Sequence, residues 1–316
     1  MKAIVLHGNC SALLEKHAFE QGGVLSQVDL TFLDPPFNQG KAYNEWEDNL
    51  PQAEYWQWMR EVCVKIYALT SDGGTVYFMQ REKNTEFVLR CLRESGWTLQ
   101  NVIIWKKKTS AVPGMTRYGK GYQIIAFATK GRRPRVFHRL RINPPLPPGY
   151  KFERENGMFV TDVWDDIREL TSGYFAGNEA LRDPTGNRAH KQQAPIQLLL
   201  RILLSSTNPD DLVLDAFAGT GTTLVVAEQL HRKSIGIEID KFNVELIHRR
   251  LVERREADSL SRFFKDYACT PDLKAIWDAD DQNEEFASHD QHFSEQMTLF
   301  ESSPVPNRGQ TEFPKL

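Results

Sequence analysis

The chain has 316 residues, 41% hydrophobic and 26% charged, with a formal net charge of −3. That fits one large globular domain, or one domain with a sizeable insert. No apolar run approaches the ~20 residues of a membrane helix. The first eight residues are too short for a signal peptide. The four cysteines (Cys10, Cys63, Cys91, Cys269) and eight histidines show no metal-ligand spacing. A cytosolic protein with reduced thiols and no metal is expected.

Residues 3–6 read as a strand ending in a turn at His7-Gly8-Asn9-Cys10, with Ser11 as the expected N-cap of a helix carrying Leu13, Leu14 and Phe19. Residues 28–33 form an apolar run that suits a buried parallel strand. It stops at Asp34-Pro35-Pro36-Phe37, because two prolines fix φ and donate no backbone hydrogen bond. A stiff loop at a strand's C-terminal end is where open α/β sheets bind ligands. Asp34 is an acceptor there and Phe37 a flat apolar face.

This loop suits an amine whose lone pair is delocalised into a ring. Hydrogen bonds from its N–H groups to the Asp34 carboxylate and the Pro35 carbonyl would free that lone pair. A bond to a charged partner is worth roughly 1.5–3 kcal/mol, and stacking of a base on Phe37 about 1–3 kcal/mol. Asp-Pro-Pro is also ordinary turn chemistry.

The polar stretch 38–49 is expected to be mobile and to fold over a ligand. An aromatic-rich helix follows over 51–69, then a break at Ser71-Asp72-Gly73-Gly74 and a strand over 75–79. A helix is expected over 82–94, with strands over 99–105 and 122–128. Between those strands lies a glycine-containing loop with Lys106, Lys107, Lys108, Arg117 and Lys120. Arg132, Arg133 and Arg135 belong to the same basic block. Residues 106–155 hold 13 Lys/Arg and 2 Asp/Glu, whereas residues 271–316 hold 3 and 10. The basic block points to a polyanion partner, although a charge run can equally be a solvated face. Residues 131–190 lack periodicity and read as an insert of loops and short elements, a reasonable place for substrate recognition.

From Pro195 regularity returns. A helix over 196–204 precedes a strand over 212–214, which runs into Asp215-Ala216-Phe217-Ala218-Gly219-Thr220-Gly221-Thr222-Thr223. A helix to about residue 230, a strand over 234–239 and a charged helix over 241–257 complete a βαβ unit. Gly219 and Gly221 permit a tight turn and close backbone approach to a ligand at a helix N-terminus. Glu238, 17 residues after Gly221, can accept both hydroxyls of a ribose. Gly-x-Gly-x-x-Gly and Gly-Lys-Ser/Thr are both absent, which favours a nucleoside over a dinucleotide or triphosphate.

Asp34-Pro35-Pro36-Phe37 followed by the Asp215–Thr223 motif resembles the two signatures of the S-adenosylmethionine-dependent amino-group DNA methyltransferases. The catalytic motif precedes the cofactor motif, with a recognition region between, and in this order the chain is similar to the β class. The resemblance covers about residues 3–251. It implies a Rossmann-like α/β sheet of seven strands, one antiparallel, in circularly permuted order. It divides the chain into a catalytic half (1–130), a DNA target-recognition insert (131–190), a cofactor half (191–257) and a polar acidic tail (258–316), largely disordered.

It also implies roles. Asp34, Pro35 and Phe37 hold and activate the target amine, and Pro36 shapes the loop. Asn9, Asp215, Phe217, Gly219, Gly221 and Thr222 serve the cofactor, Glu238 its ribose and Ile239 its adenine. Two departures stand out. The family's His-Pro-x-x-Lys-Pro is His190-Lys191-Gln192-Gln193-Ala194-Pro195 here, so Ala194 stands where a lysine is usual. Gly-Asp-Cys is Gly8-Asn9-Cys10.

Direct displacement from a sulfonium needs no metal and no catalytic cysteine, and the Pro-Cys expected of a cytosine-C5 enzyme is absent. Asp at the first motif position favours adenine N6 in flipped-out double-stranded DNA, with the enzyme acting alone or in a restriction–modification system. The alternatives are cytosine N4 and an inactive DNA-binding or regulatory subunit. A homodimer is common in the family. The tail carries Gln296-Met297-Thr298-Leu299-Phe300, which resembles the motif that docks on the bacterial sliding clamp, with Gln296, Leu299 and Phe300 as its anchors.

Overall fold

The apolar runs pair into one sheet. In a computed structural model, residues 3–15, 20–21, 24–25, 27–40, 48–108, 112–143, 154–170, 177–182, 186 and 193–277 are described. Phe19, the centre of the polar stretch after Phe37, residues 190–192 of the lysine-lacking segment and the tail motif at 296–300 lie outside them.

In chain order the elements are β1 (Ala3–His7), α1 (Cys10–Leu13), β2 (Glu20–Gln21), β3 (Val24–Leu25), β4 (Val28–Leu33), α2 (Gln52–Leu69), β5 (Thr70–Arg81) and α3 (Thr85–Glu94). Then come β6 (Thr98–Lys106), β7 (Tyr122–Thr129), β8 (Arg141–Ile142), β9 (Met158–Phe159), β10 (Val163–Trp164) and α4 (Ile196–Ser206). Last are β11 (Leu212–Asp215), α5 (Thr222–Gln229), β12 (Lys233–Glu238), α6 (Lys241–Val252) and α7 (Leu273–Trp277).

The main sheet runs β1-β12-β11-β4-β5-β7-β6-β10. The seven expected strands are all there, with β7 antiparallel to both neighbours. The two-residue β10, from the insert, adds an eighth at the edge, parallel to β6. From β4 the chain moves to β5 on one side, and from β11 it moves to β12 on the other. The direction reverses between β4 and β11, which are parallel neighbours with Asp215 opposite Phe32. Such a reversal opens a crevice at the strands' C-terminal ends.

Side-chain alternation divides the core into two layers. Leu30, Phe32, Tyr77, Met79, Ile125 and Phe127 face α4, α5 and α7. Leu33, Val76, Phe78, Ile124 and Ala126 face α2 and α3.

Several local expectations are corrected. Asn9, not Ser11, caps α1: its backbone is extended and its side chain accepts from Ser11 N. The strand expected from residue 75 starts at Thr70, because Ser71–Gly74 is absorbed as a bulge between the pairs Val28–Thr70 and Leu30–Thr75. Gly73 there has φ +75°, and a Cβ on it would sit 2.8 Å from Arg135 N. The charged helix ends at Val252, since Glu253 leaves the helical region (φ −103°, ψ 76°) even as its N–H still donates to Arg249 O.

The polar tail does not begin at residue 258. Leu260, Tyr267, Leu273, Ile276 and Trp277 are buried in the core layer shared with α4. Residues 3–277 therefore share one folded body. Composition hid this because the apolar residues are spaced singly among charged ones. The described part of the insert also joins the core, through Leu140, Trp164 and Ile167. Buried Arg201 on α4 makes an ion pair with Asp166 and lies over the Trp164 ring.

Candidate active site

Four parallel strands end side by side at the crevice. β1 leads to Gly8-Asn9, β12 ends at Glu238, β11 at Asp215, and β4 at Leu33 just before Asp34. The register is continuous: His7 pairs with Glu238, Asp215 with Gly236 and with Phe32. The two signatures, 181 residues apart in sequence, thus leave adjacent strands about 4.8 Å apart.

The loop after β4 is held from behind. Tyr55, buried on α2, donates its hydroxyl to the Pro36 carbonyl at 2.7 Å. Gln80, buried on β5, donates to that same Tyr55 oxygen at 3.1 Å. Burial pushes the Tyr55 phenol up, so it stays a donor. Beyond Phe37, Asn38 adopts φ 51°. Its side chain bonds both N and O of Leu50, and its backbone N–H donates to Asp48. Gln39 N donates to the same carboxylate at 3.0 Å. Asp34 is half-buried, whereas Phe37 is buried at 4% exposure, so its ring is a wall of the site and not a displayed face. Tyr55, Gln80 and Asp48 were not legible as site residues. Their only signal is a polar group inside an otherwise apolar pattern.

The loop after β11 is held from within. Asp215 accepts from Phe217 N at 3.1 Å and from the Thr223 hydroxyl at 2.5 Å. Burial raises its carboxyl from 3.8 to about 6, against the lowering effect of those two bonds. Glu238 accepts from Gly219 N at 2.7 Å and from Asp240 N at 2.8 Å, and burial raises its carboxyl as well. Gly221 caps α5 in the left-handed region, φ 76°. A Cβ there would lie 2.8 Å from Ile247, so the close approach that needs glycine is to α6.

Thr222 is turned inward too, its hydroxyl accepting from Arg250 at 3.0 Å. Arg250, 3% exposed, also donates to the Thr220 carbonyl at 2.9 Å and pairs with fully buried Asp258 at 2.8 Å. Phe217 is half-buried and meets Trp58 of α2 edge to face at 5.7 Å. Asn9 spends its side-chain oxygen on Ser11 N. Ile239 is half-buried, its carbonyl 3.0 Å from His7 Nε2. Ala194, where the family has lysine, packs half-buried against the core and offers no charge.

The donor set fits a nucleoside. Glu238 at the end of β12 is an acceptor suited to ribose hydroxyls, while Asp215 on the neighbouring strand is engaged by its own loop. Backbone N–H groups from the glycine loop keep both carboxylates in place.

The basic residues fall in two places. Lys106 ends β6 opposite Tyr122, at the same edge as Arg81 and the β4 loop. The Lys107 and Lys108 backbones close the loop by donating to Gly121 O and to Glu169, each at 2.8 Å. Arg117 is exposed and Lys120 half-exposed beyond them. Arg132, Arg133 and Arg135 follow the other end of β7, where Thr129 pairs with Thr75. That end is about 20 Å away, six strand steps of roughly 3.3 Å. Arg135 pairs there with Asp29 at 3.0 Å and Asp211 at 2.6 Å, tying down the starts of β4 and β11. The sequence placed all eight basic residues in one interface; the antiparallel course of β7 separates them.

No helix among the described residues is long and apolar enough to cross a membrane. No group of His, Cys, Asp and Glu among them could hold a metal.

Comparisons with known proteins agree with this geometry. Residues 28–249 match the family model described as DNA methylase. The chain is 30% identical over 304 residues to DNA adenine methyltransferase YhdJ of Escherichia coli K12, covering 85% of this chain and 94% of that one. Its fold is similar to that of PvuII DNA methyltransferase, a cytosine-N4-specific enzyme (TM-score 0.58, 19% identity, 85% and 92% of the chains). It is also similar to that of M1.HpyAVI in complex with S-adenosylmethionine (TM-score 0.52, 22% identity, 79% and 98%). The sheet, the paired motifs and these likenesses coincide: the chain belongs to the DNA methylase family, the amino-group methyltransferases of DNA that use S-adenosylmethionine.

Proposed function

We propose that this protein methylates the N6 amine of adenine in double-stranded DNA. The observation that carries the reading is the meeting of Asp34 and the Asp215–Thr223 loop on adjacent strand ends. Asp at the first motif position favours adenine, and the Escherichia coli relative is named as an adenine enzyme. The cytosine-N4 likeness, at 19% identity, extends to the fold alone.

S-adenosylmethionine supplies an electrophilic methyl group when bound. Glu238 would accept its ribose hydroxyls, Phe217 and Ile239 would flank it, and the Asp215 loop would shape its methionine end. Asp34 and the Pro35 carbonyl accept the two N–H bonds of the flipped adenine amine. Pro36 C=O is engaged by Tyr55, which leaves Pro35 C=O as the backbone acceptor. The amine nitrogen would form its bond to the methyl carbon as the methyl–sulfur bond breaks and a neutral thioether leaves; positive charge would grow on the nitrogen beside the Asp34 carboxylate, and its extra proton would then pass to water. Holding amine and methyl in line supplies up to about 7–11 kcal/mol. Phe37 walls the base, and Lys106, Lys107, Lys108, Arg117 and Lys120 lie against phosphates.

The test is mass spectrometry of nucleosides from DNA incubated with the purified protein, with Asp34→Ala beside it. N6-methyladenine that vanishes in the variant supports the reading. N4-methylcytosine would keep the chemistry and overturn the base. No product with cofactor bound would favour a binding or regulatory subunit.

Three finer readings rest on sequence and family alone: a homodimer, residence in the cytoplasm, and docking on a bacterial sliding clamp through Gln296, Leu299 and Phe300. Sedimentation of the purified protein tests the first, and fractionation of cells the second. For the third, Leu299→Ala/Phe300→Ala should abolish clamp binding; unchanged affinity would sink it.

A further inference from the structure

The loop between β6 and β7 carries more than charge. Val112, Met115 and Tyr118 are 91%, 102% and 96% exposed. Gly114 N donates to Arg117 O at 3.0 Å, closing a bridged turn with Met115 and Thr116 at its tip. Residues 106–121 contain five Lys/Arg and no acid. Three such side chains within seven residues of one turn gather apolar surface in one place, which marks a candidate contact site. The surrounding charge favours a polyanion, and a nucleic acid, the substrate of the proposed reaction, offers apolar base faces beneath its phosphates.

Position adds the second constraint. The loop rises from the same sheet edge as Asp34, three strand spacings away, or about 14 Å. A base drawn out of a duplex to Asp34 would leave a gap in the stack near this edge. We infer that the turn at 114–117 is a wedge: Met115 enters the base stack where the target adenine was, and Tyr118 stacks against the exposed neighbouring base. Arg117 and Lys120 hold the flanking phosphates. Apolar wedges that part base steps act in this way. They pay the unstacking cost that would otherwise oppose flipping. The inference rests on the proposed action on flipped DNA.

The experiment compares Met115→Ala/Tyr118→Ala with wild type on one methylated sequence, identified from the protein's own product DNA, as duplex and as single strand. A wedge matters only where a stack must be opened. The ratio of duplex to single-strand kcat/KM should therefore fall by roughly tenfold or more. A third substrate, the duplex with a mismatch at the target adenine, should recover most of that loss. An unchanged ratio, or an equal loss on both substrates, would overturn the wedge. So would a change in oligomeric state with the ratio unchanged, which would make the patch an interface between copies. If wild type methylates no DNA, the failure belongs to the proposed function. An Arg117→Gln/Lys120→Gln variant should weaken duplex and single strand together, with a shallower salt dependence.

Discussion

The loop after β4 and the loop after β11 leave neighbouring strands at one edge, yet they are held by opposite means. The Asp34 loop is stiff by covalent structure at Pro35-Pro36 and is braced from outside by Tyr55, Gln80, Asn38 and Asp48. The Asp215 loop has no proline. Its own carboxylate and hydroxyls turn inward, and buried Arg250, paired with Asp258, anchors it. One loop is fixed by its prolines and by neighbours that bond its backbone. The other spends its acid on itself and offers the ligand a shaped backbone.

That contrast is broken most sharply by Asp34→Ala. Methyl transfer should fall at least about a hundredfold, the loss typical of a key electrostatic group, while calorimetry should find cofactor affinity within a few-fold of wild type. Loss of cofactor binding as well would show that the two loops are not separable. On the other side, Arg250→Met leaves Asp258 buried with only Arg255 as partner. Urea unfolding should register a loss of about 3 kcal/mol, accompanied by weaker cofactor binding.

Asp215→Asn probes the inward-turned acid through pH. Its folded value of about 6 lies above the unfolded 3.8. A raised acid stabilises the fold fully below the unfolded value, and that contribution is lost as pH rises through the folded one. Asparagine cannot ionise. Between about pH 4 and about pH 7, thermal melts of the variant should therefore gain on wild type, by roughly 1–3 kcal/mol. A parallel pair of pH curves would mean that Asp215 is not strained by burial.

Tyr55→Phe removes one hydrogen bond behind the Asp34 loop, worth about 1 kcal/mol. We expect kcat to drop up to roughly tenfold with KM for the cofactor unchanged. A drop confined to stability would make Tyr55 a packing residue only. The smallest effect belongs to Arg132→Gln/Arg133→Gln at the far end of β7, where the affinity for DNA and its salt dependence should stay as in wild type. Lys107→Gln in the near loop should lower the log–log salt slope by about 0.9 for a lost phosphate contact.

How far the sequence reached follows from which signals are local. The apolar run of β4, the proline stop after Asp34, and Gly219 and Gly221 at positive φ each lie within a few residues and need no tertiary knowledge. The insert was harder. Trp164 and Ile167 sit in a stretch without periodicity, and they pack because β10 finds the edge of β6. Tyr267, Ile276 and Trp277 look in sequence like part of a polar tail, since isolated apolar residues among charges carry no period.

By itself, then, the sequence determined the strand and helix types, the two motif loops and the chemistry their residues can perform, because backbone restriction and side-chain function are local properties. Tertiary structure decided which surfaces meet. It put the two loops on adjacent strands at the reversal of sheet order. It sent Arg132, Arg133 and Arg135 to the wrong edge for the site, and it buried Arg250 against Asp258. Strand order and strand direction depend on contacts between residues far apart in the chain. A run of charges looks the same in sequence whether it faces a ligand or braces the opposite end of the sheet.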